Sequence, residues 1–132
     1  IAGYTVANDI SLRDWQSRSL QWFQGKAFDR TTPLGPVLVT PDECDPEAGV
    51  RVRCLVNGDE VQNGNTKTLV FTAAALLSYI STFTRLSPGD VVLTGTPGGV
   101  GMGANPPRFL HDGDVVTTEV EGIGTLTNTV RL

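Results

Sequence analysis

The fold class follows most directly from one stretch of the chain, Val50-Arg51-Val52-Arg53-Cys54-Leu55-Val56-Asn57-Gly58-Asp59-Glu60-Val61-Gln62. Its first seven residues largely alternate apolar and polar side chains, which is typical of a strand that buries one face. The dipeptide Asn57-Gly58 then supplies a two-residue turn, and Glu60-Val61-Gln62 begins a return strand. The stretch therefore predicts a β-hairpin.

Short strands separated by glycine and proline turns account for most of the remaining chain. Alternating or apolar runs predict further strands at residues 2–9, 37–39, 91–94, 115–120 and 128–132, with residues 123–126 leading into the last of these, and residues 63–66 are predicted to turn. The spacing of apolar side chains predicts helices at residues 12–22 and 72–83. Because these helices are inserted among the strands without alternating regularly with them, the pattern predicts an α+β fold of short, mostly antiparallel strands.

The composition is typical of one globular domain, residues 1–132. Of these residues 39% are apolar and 18% charged, enough for one hydrophobic core but not for two. The net charge of −4 argues against nucleic acid or an acidic membrane as a partner. No apolar run approaches the roughly 20 residues that span a bilayer, so we expect a soluble, cytoplasmic protein.

The start of the chain and its two cysteines give further expectations. The chain begins Ile1-Ala2-Gly3-Tyr4, without a methionine or a polar lead-in, so we expect that an upstream part of the protein is missing. Cys44 and Cys54 lack CxxC spacing and have no histidine nearby, so we expect unpaired thiols and no sulfur-bound metal.

A candidate site begins at Asp9, within Tyr4-Thr5-Val6-Ala7-Asn8-Asp9-Ile10-Ser11-Leu12-Arg13-Asp14-Trp15-Gln16. An apolar strand here delivers a carboxylate just before a segment that can start a helix. If Ser11 caps that helix, Arg13 and Gln16 lie one turn apart on the same face and point back toward Asp9. The alternative, from local pattern alone, is that Asp9 only caps the helix or interacts with its dipole.

Lys26 and the glycine-rich loop at residues 95–101 are the other candidates. A lone lysine is usually solvated, but beside a metal its ammonium group can bind a substrate carboxylate or an enolate. The loop loosely matches a dinucleotide fingerprint, yet Asn105-Pro106-Pro107 follows where a helix is required, which argues against nucleotide binding. Its amides and the Thr96 hydroxyl could cradle an anion, or the loop could be a plain turn.

The sequence argues against a Ser-His-Asp hydrolase. It has no G-x-S-x-G elbow, and its single histidine, His111, lies in the turn-like run Leu110-His111-Asp112-Gly113, where a solvated or structural side chain is expected. The same kind of setting indicates that several aspartates are turn formers: Asp29, Asp90, Asp112 and Asp114.

Taken together, these runs closely resemble the C-terminal catalytic domain of the fumarylacetoacetate hydrolase family, over essentially the whole chain. The matching runs are Gly3-Tyr4-Thr5-Val6-Ala7-Asn8-Asp9 with Arg13-Asp14 and Gln16, Gly25-Lys26-Ala27-Phe28-Asp29, Pro33-Leu34-Gly35-Pro36, Val56-Asn57-Gly58, Gly64-Asn65-Thr66, Pro88-Gly89-Asp90, and Leu93-Thr94-Gly95-Thr96-Pro97-Gly98-Gly99-Val100-Gly101.

The resemblance implies a compact β-sandwich roll with two short helices, commonly a homodimer, around a divalent metal, usually Mg²⁺ and otherwise Mn²⁺ or Ca²⁺. Asp9 would be a metal ligand. Arg13, Gln16, Lys26 and Thr96 match the positions that hold a small oxo-acid substrate around the metal, and Lys26 would stabilise the enolate formed on carbon-carbon cleavage or decarboxylation.

The chain departs from the family pattern in one respect. The family takes two further metal carboxylates from a Glu-x-Glu pair upstream of Asp9, and often a water-activating His-Glu dyad from a still earlier lid; neither occurs in these residues. Glu119-Val120-Glu121 has the right spacing but lies near the closing strand, and we interpret it as a hairpin edge. We therefore expect these residues alone to bind metal poorly and to be inactive.

The resemblance implies a metal-dependent hydrolase that cleaves a carbon-carbon bond in a 1,3-dicarbonyl or acylpyruvate substrate. Two alternatives stay open. One is an isomerase or decarboxylase of 2-oxo dicarboxylic acids from the degradation of aromatic compounds. The other is a non-catalytic module that keeps the fold.

Overall fold

The computed structural model describes residues 1–132 and has a four-stranded antiparallel sheet at its centre. Its strands are β3 (Arg51–Val56), β4 (Asp59–Asn65), β5 (Val115–Val120) and β6 (Gly124–Thr129), in the order β4-β3-β5-β6. Strands β3 and β4 form the predicted hairpin, in which Cys54 lies opposite Gln62 and a bulge follows, so that Leu55 lies opposite Glu60. The hairpin prediction is confirmed.

The hairpin turn is locked to the neighbouring strand by its asparagine. Asn57 and Gly58 both have positive φ, at 54° and 90°, as a turn matched to the strand twist requires. The Asn57 side chain also accepts a hydrogen bond from Val115 N at 2.9 Å and donates one to Asp114 at 2.8 Å. The turn residues therefore join the hairpin to the start of β5 as well as reversing the chain.

A second, two-stranded sheet packs beside the first and encloses the core. Strands β1 (Tyr4–Ala7) and β2 (Leu34–Val39) are antiparallel, with Tyr4 opposite Val39 and Ala7 opposite Leu34. Val6 and Val39 of this sheet pack with Cys44 and Ile123 in the buried cluster. Together with helix α1 (Arg13–Gln16) and helix α2 (Ala73–Ile80), the two sheets confirm the predicted α+β fold.

Helix α2 begins where its N-cap predicts. The Thr72 hydroxyl accepts a hydrogen bond from Ala75 N at 3.1 Å and so satisfies a backbone donor of the first turn. The helix lies within the predicted residues 72–83 but ends earlier, at Ile80. It buries no residue: Tyr79 and Phe83 are 69% and 68% exposed and stack edge to face with their ring centroids 5.7 Å apart.

Several predicted element bounds are wrong for identifiable reasons. The helix predicted at 12–22 is only α1, followed after a break by a separate 3₁₀ turn at Trp22–Gly25. Residues 63–65 continue β4 because they pair with β3, although their composition favours a turn. Residues 91–94 have no strand partner and stay irregular. The final strand, predicted at 128–132, begins earlier, at Gly124, and ends at Thr129 as β6, paired with β5. Strand β2 extends back through Pro36, which an edge strand tolerates.

Both thiols are unpaired, as predicted, and both are buried. No helix of the structure has the length and apolarity that crossing a membrane requires.

Candidate active site

Asp9 is delivered to the site by the end of β1, which is tied to the central sheet. The Asn8 side-chain amide donates to the Thr118 hydroxyl at 2.9 Å and reaches the Cys54 sulfur at 3.9 Å. Asn8 N also donates to Pro33 O at 3.2 Å, which continues the pairing with the segment before β2. The backbone that carries Asp9 is therefore held from both sides, and its side chain emerges at a fixed point of the strand end.

Lys26 is brought to the same point by a close backbone contact. A Cβ added at Gly25 would lie 2.7 Å from Gln16 Cβ, so the 3₁₀ turn that ends at Gly25 can lie against α1 only with glycine there. Leu12 N donates to Gly25 O at 2.9 Å and closes the contact. The residue after Gly25 is Lys26, which therefore emerges beside α1 and the end of β1.

The ammonium group of Lys26 lies between Asp9 and Ser11. Its Nζ forms an ion pair with Asp9 Oδ2 and donates to Ser11 Oγ at 2.9 Å. The lysine and aspartate side chains are 32% and 31% exposed, so the pair is sheltered but open to a ligand. The interpretation of Asp9 as a helix cap is wrong, because Leu12 is the residue before α1 and no side chain caps the helix, whereas the Asp9 carboxylate pairs with Lys26.

Ser11 does not have the predicted capping role. Leu12 is the residue before α1, and no side chain caps the helix. The Ser11 hydroxyl instead accepts from Lys26 and donates to Asp9 O at 3.4 Å. No local pattern indicates this contact, since it depends on where residue 26 returns to the strand end.

Arg13 and Gln16 lie on one face of α1, as predicted. Arg13 donates to Gln16 Oε1 at 2.7 Å, and Gln16 is buried, with only 7% of its surface exposed. Since the carboxamide oxygen is used by Arg13, the guanidinium group is held in place and keeps further N–H donors for another acceptor. Arg13 is therefore a fixed cation, and it lies four residues after Asp9 in the sequence.

Thr96 lies apart from this cluster, on the loop at residues 95–101, which is hydrogen-bonded to β4. Its hydroxyl accepts a hydrogen bond from Gln62 Nε2 at 2.9 Å and forms no hydrogen bond with the other predicted site residues. Thr96 and the other four residues, Asp9, Arg13, Gln16 and Lys26, all border one broad open region of about 2340 Å³, but about half of the chain borders that region. The structure thus brings Asp9 into contact with Lys26 and Arg13 into contact with Gln16, and it does not bring Thr96 into contact with either pair.

These residues fit a divalent metal only in part. The Asp9 carboxylate is a hard oxygen ligand of the kind that Mg²⁺ or Mn²⁺ prefers. However, no group of three or more His, Cys, Asp or Glu residues comes together in the chain. Glu119 is bound to the Arg53 guanidinium and Glu121 accepts from Arg51 N at 3.2 Å, so neither is available as a substitute. Asp9 can be one ligand, and these residues do not complete a metal site.

The remaining candidate groups have structural roles. His111 is exposed in its turn, where its backbone N donates to Asp114 at 2.8 Å, as expected of a solvated loop histidine. Burial raises the pKa of the Cys54 thiol, an effect that hydrogen bonds with Thr118 and Asn8 oppose. A buried, protonated thiol is a poor nucleophile, so Cys54 acts as a core residue.

The family assignment follows from comparison with known sequences. A family model described as "Fumarylacetoacetate (FAA) hydrolase C-terminal" matches residues 1–131. The chain belongs to the fumarylacetoacetate hydrolase family. Its resemblance to that family in the separate motifs is therefore confirmed along the whole chain.

The relatives of this family member are about twice its length. It is 51% identical to "Oxaloacetate tautomerase fahd2, mitochondrial" of Xenopus laevis, over 98% of this chain and 41% of that protein. Among solved structures it is similar to a fumarylacetoacetate hydrolase from Exiguobacterium antarcticum, with a TM-score of 0.94 and 45% identity over 98% of this chain and 46% of the other. The chain thus spans less than half the length of these relatives.

A third similar protein was solved with ligands. It is a fumarylpyruvate hydrolase from Pseudomonas aeruginosa in complex with Mn²⁺ and pyruvate, with a TM-score of 0.85 and 33% identity over 98% of this chain and 54% of that one. The family fold of this chain is therefore known in a protein that binds a divalent metal and a 2-oxo acid.

Proposed function

We propose that the protein containing this chain catalyses keto-enol tautomerisation of a 2-oxo dicarboxylate such as oxaloacetate. The observation that carries the proposal is the Lys26 ammonium group, held between Asp9 and Ser11 at the open region. A fixed ammonium group there can stabilise the negative charge that develops on the enolate oxygen when a proton leaves the adjacent carbon. The similarity to an oxaloacetate tautomerase at 51% identity supports this reaction over the others.

The charges at the site suit a substrate with two carboxylates. Arg13, positioned by Gln16, supplies planar N–H donors that match a carboxylate, and Lys26 supplies a second cation. Tautomerisation needs one proton to leave carbon 3 of the substrate and one to reach the oxygen on carbon 2, with no net change in composition. We assign Lys26 to the oxygen side of this exchange and Arg13 with Gln16 to carboxylate binding.

We further propose that the whole protein binds a divalent metal, Mg²⁺ or Mn²⁺, with Asp9 as one ligand. The Mn²⁺ in the similar fumarylpyruvate hydrolase supports this, and the other ligands would come from residues outside these 132. A bound metal would supply further stabilisation of the substrate oxygens. On this proposal, residues 1–132 alone bind metal weakly and are inactive, because they supply one carboxylate ligand.

The test uses the full-length protein and the disappearance of enol-oxaloacetate, followed by its ultraviolet absorbance. We expect turnover that chelation of the metal removes and that Mg²⁺ or Mn²⁺ restores. Asp9→Asn should lower kcat/KM by about 100-fold or more, since it weakens the metal site and frees Lys26 from its partner. Asp14→Asn is the matched control, because Asp14 is exposed and pairs only with Arg18, at 3.7 Å.

Equal activity in Asp9→Asn and Asp14→Asn would remove Asp9 from the site. Absence of oxaloacetate turnover in the metal-loaded full-length protein would refute the tautomerase proposal.

A second candidate is the carbon-carbon hydrolysis of an acylpyruvate, which the sequence predicts and the similarity to a fumarylpyruvate hydrolase favours. The enolate of pyruvate would leave when the bond breaks, and Lys26 would stabilise it in the same way. Release of pyruvate from an acylpyruvate, measured with a coupled dehydrogenase, separates this reaction from tautomerisation. Product analysis in the same assay would detect isomerisation or decarboxylation, and inactivity toward all these acids would favour the non-catalytic alternative.

We also propose that the protein is a homodimer. The family resemblance leads to this proposal, and the exposure of large apolar side chains is compatible with it, among them Phe71, Tyr79, Phe83, Met102 and Phe109. Exposed apolar patches of this kind typically mark protein interfaces. Light scattering on the full-length protein should give twice the mass of one chain, and a monomer would refute this proposal. The cytoplasmic location stays a prediction from the sequence.

A further inference from the structure

The loop that carries Thr96 is fastened to β4 by a side chain whose function is unassigned. Gln62 Nε2 donates to Thr96 Oγ1 at 2.9 Å and to Pro97 O at 2.8 Å. Two glycine contacts press the same loop onto the strand. A Cβ added at Gly99 would lie 2.1 Å from Val61 O, and one added at Gly64 would lie 2.6 Å from Pro97 Cβ. The loop is therefore held at Thr96 and at the residues that follow it, Pro97 and Gly99.

The Pro97 contact determines which way the hydrogen bond to Thr96 runs. A backbone carbonyl oxygen can only accept, so the part of the Gln62 amide that faces Pro97 O must be its NH₂ group. The same nitrogen reaches Thr96 Oγ1, so the hydroxyl oxygen accepts from Gln62. The hydroxyl hydrogen then has no partner within the chain, and Thr96 is exposed, so this hydrogen can reach a ligand.

We propose that Gln62 is a positioning residue that fixes the Thr96 hydroxyl as a hydrogen-bond donor to an anionic oxygen of the substrate. This inference rests on the proposed function, in which the substrate is an oxo acid. Without Gln62 the hydroxyl rotates freely and points its hydrogen toward the substrate only part of the time. With Gln62 the orientation is set before the substrate arrives, which lowers the cost of binding.

The variant Gln62→Glu, compared with and without Thr96→Val, distinguishes this role from simple fastening of the loop. Gln62→Glu also removes the donation to Pro97 O, an effect that would persist without the Thr96 hydroxyl, whereas an effect on the orientation of that hydroxyl would not. A glutamate is nearly the same size but, when ionised, can only accept, so it would take the Thr96 hydroxyl hydrogen for itself and repel the substrate anion. Asn63→Asp is the matched control. It makes the same amide-to-acid change one position along β4, on the opposite face, where Asn63 contacts Arg51 and Glu60.

The experiment is steady-state kinetics of the full-length protein on oxaloacetate. Gln62→Glu and Asn63→Asp are each measured alone and in combination with Thr96→Val. We expect Gln62→Glu to raise KM by about tenfold with kcat within about threefold of wild type, because a contact to a non-reacting carboxylate contributes equally to ground-state and transition-state binding. Asn63→Asp should leave both constants within about twofold. In the Thr96→Val background, Gln62→Glu should change KM by less than about twofold, since the hydroxyl it acts through is gone.

Two results would overturn the inference: a KM for Gln62→Glu equal to that of Asn63→Asp, or an undiminished effect of Gln62→Glu in the Thr96→Val background. If the wild-type protein turns over no oxo acid, the proposed function fails, and calorimetric binding of oxalate to the metal-loaded protein then tests the inference by itself. About tenfold weaker oxalate binding in Gln62→Glu, but not in Asn63→Asp, would support Gln62 as the positioning residue. Equal binding by the two variants, or no binding by the wild type, would overturn it.

Discussion

Gly25→Ala tests the contact that brings Lys26 to Asp9. The new Cβ would lie 2.7 Å from Gln16 Cβ, about 0.7 Å short of the 3.4 Å at which ordinary van der Waals contact begins. It would also lie 2.8 Å from Gln16 Cα and N, which are backbone atoms and cannot rotate away. The 3₁₀ turn must therefore move away from α1 by a large part of an ångström, and Lys26, the next residue, must move with it.

The expected effect of this shift is larger on activity than on stability. Overpacking of this kind costs about 1–3 kcal/mol, which in a protein of this size or larger lowers the Tm by about 2–10 °C. Displacing a group that stabilises an enolate by close to an ångström can cost about 100-fold in rate. We therefore expect Gly25→Ala to remain folded, by circular dichroism and thermal unfolding, while kcat/KM on oxaloacetate falls by about 30- to 100-fold.

The matched control is Gly103→Ala. A Cβ there would meet only a Val100 methyl group at 3.5 Å, an ordinary contact, so activity and Tm should stay near wild type. If Gly25→Ala kept the activity of Gly103→Ala, the close contact would not position Lys26 and the reasoning would be refuted.

Two further predictions concern stability. Thr72→Ala removes the N-cap of α2 and should lower the free energy of unfolding, measured by chemical denaturation, by about 1 kcal/mol. Thr72→Ser keeps the hydroxyl and should stay near wild type. An unchanged denaturation midpoint for Thr72→Ala would contradict the capping role. Hydrogen bonds from the Asn57 side chain and from His111 N hold the pKa of Asp114 below its ordinary value of 3.8. The stability that Asp114 contributes is therefore fully present above about pH 4 and is lost as the pH falls through the lowered pKa. Asp114→Asn should consequently lose less stability than wild type as the pH falls from about 4 to 2. An identical dependence of stability on acid pH in the two proteins would contradict this.

The sequence was most informative where local chemistry decides the structure. The Asn57-Gly58 turn with alternating residues before it predicted the hairpin, and the spacing of apolar side chains in residues 72–83 predicted helix α2, because turn geometry and helical periodicity are set by neighbouring residues. Residues 91–94 show the limit of this approach. Their apolar pattern suits a strand, but a strand also needs a partner, and whether one is available depends on the arrangement of the whole sheet.

The site could be predicted in part for the same reason. Arg13 and Gln16 interact because they lie three residues apart on one helix, which the spacing indicates. The contact of Lys26 with Ser11 and that of Gln62 with Thr96 join residues 15 and 34 positions apart, and no local pattern predicts such pairs. The local pattern around Ser11 therefore predicts only a helix cap and not the contact with Lys26. Gln62 could have been noticed only as a polar residue of β4 opposite the buried Cys54.

The central proposal is that Lys26 stabilises the enolate, and the replacement of this lysine by methionine tests it most directly. Methionine keeps the length and apolar stem of the side chain while removing the ammonium group, and Lys67→Met makes the same change at the other lysine of the chain, in the 3₁₀ turn after β4. Measured on oxaloacetate with the metal-loaded full-length protein, kcat/KM should fall by about 100-fold or more in Lys26→Met and stay within about twofold of wild type in Lys67→Met. A Lys26→Met variant as active as Lys67→Met would contradict the proposal.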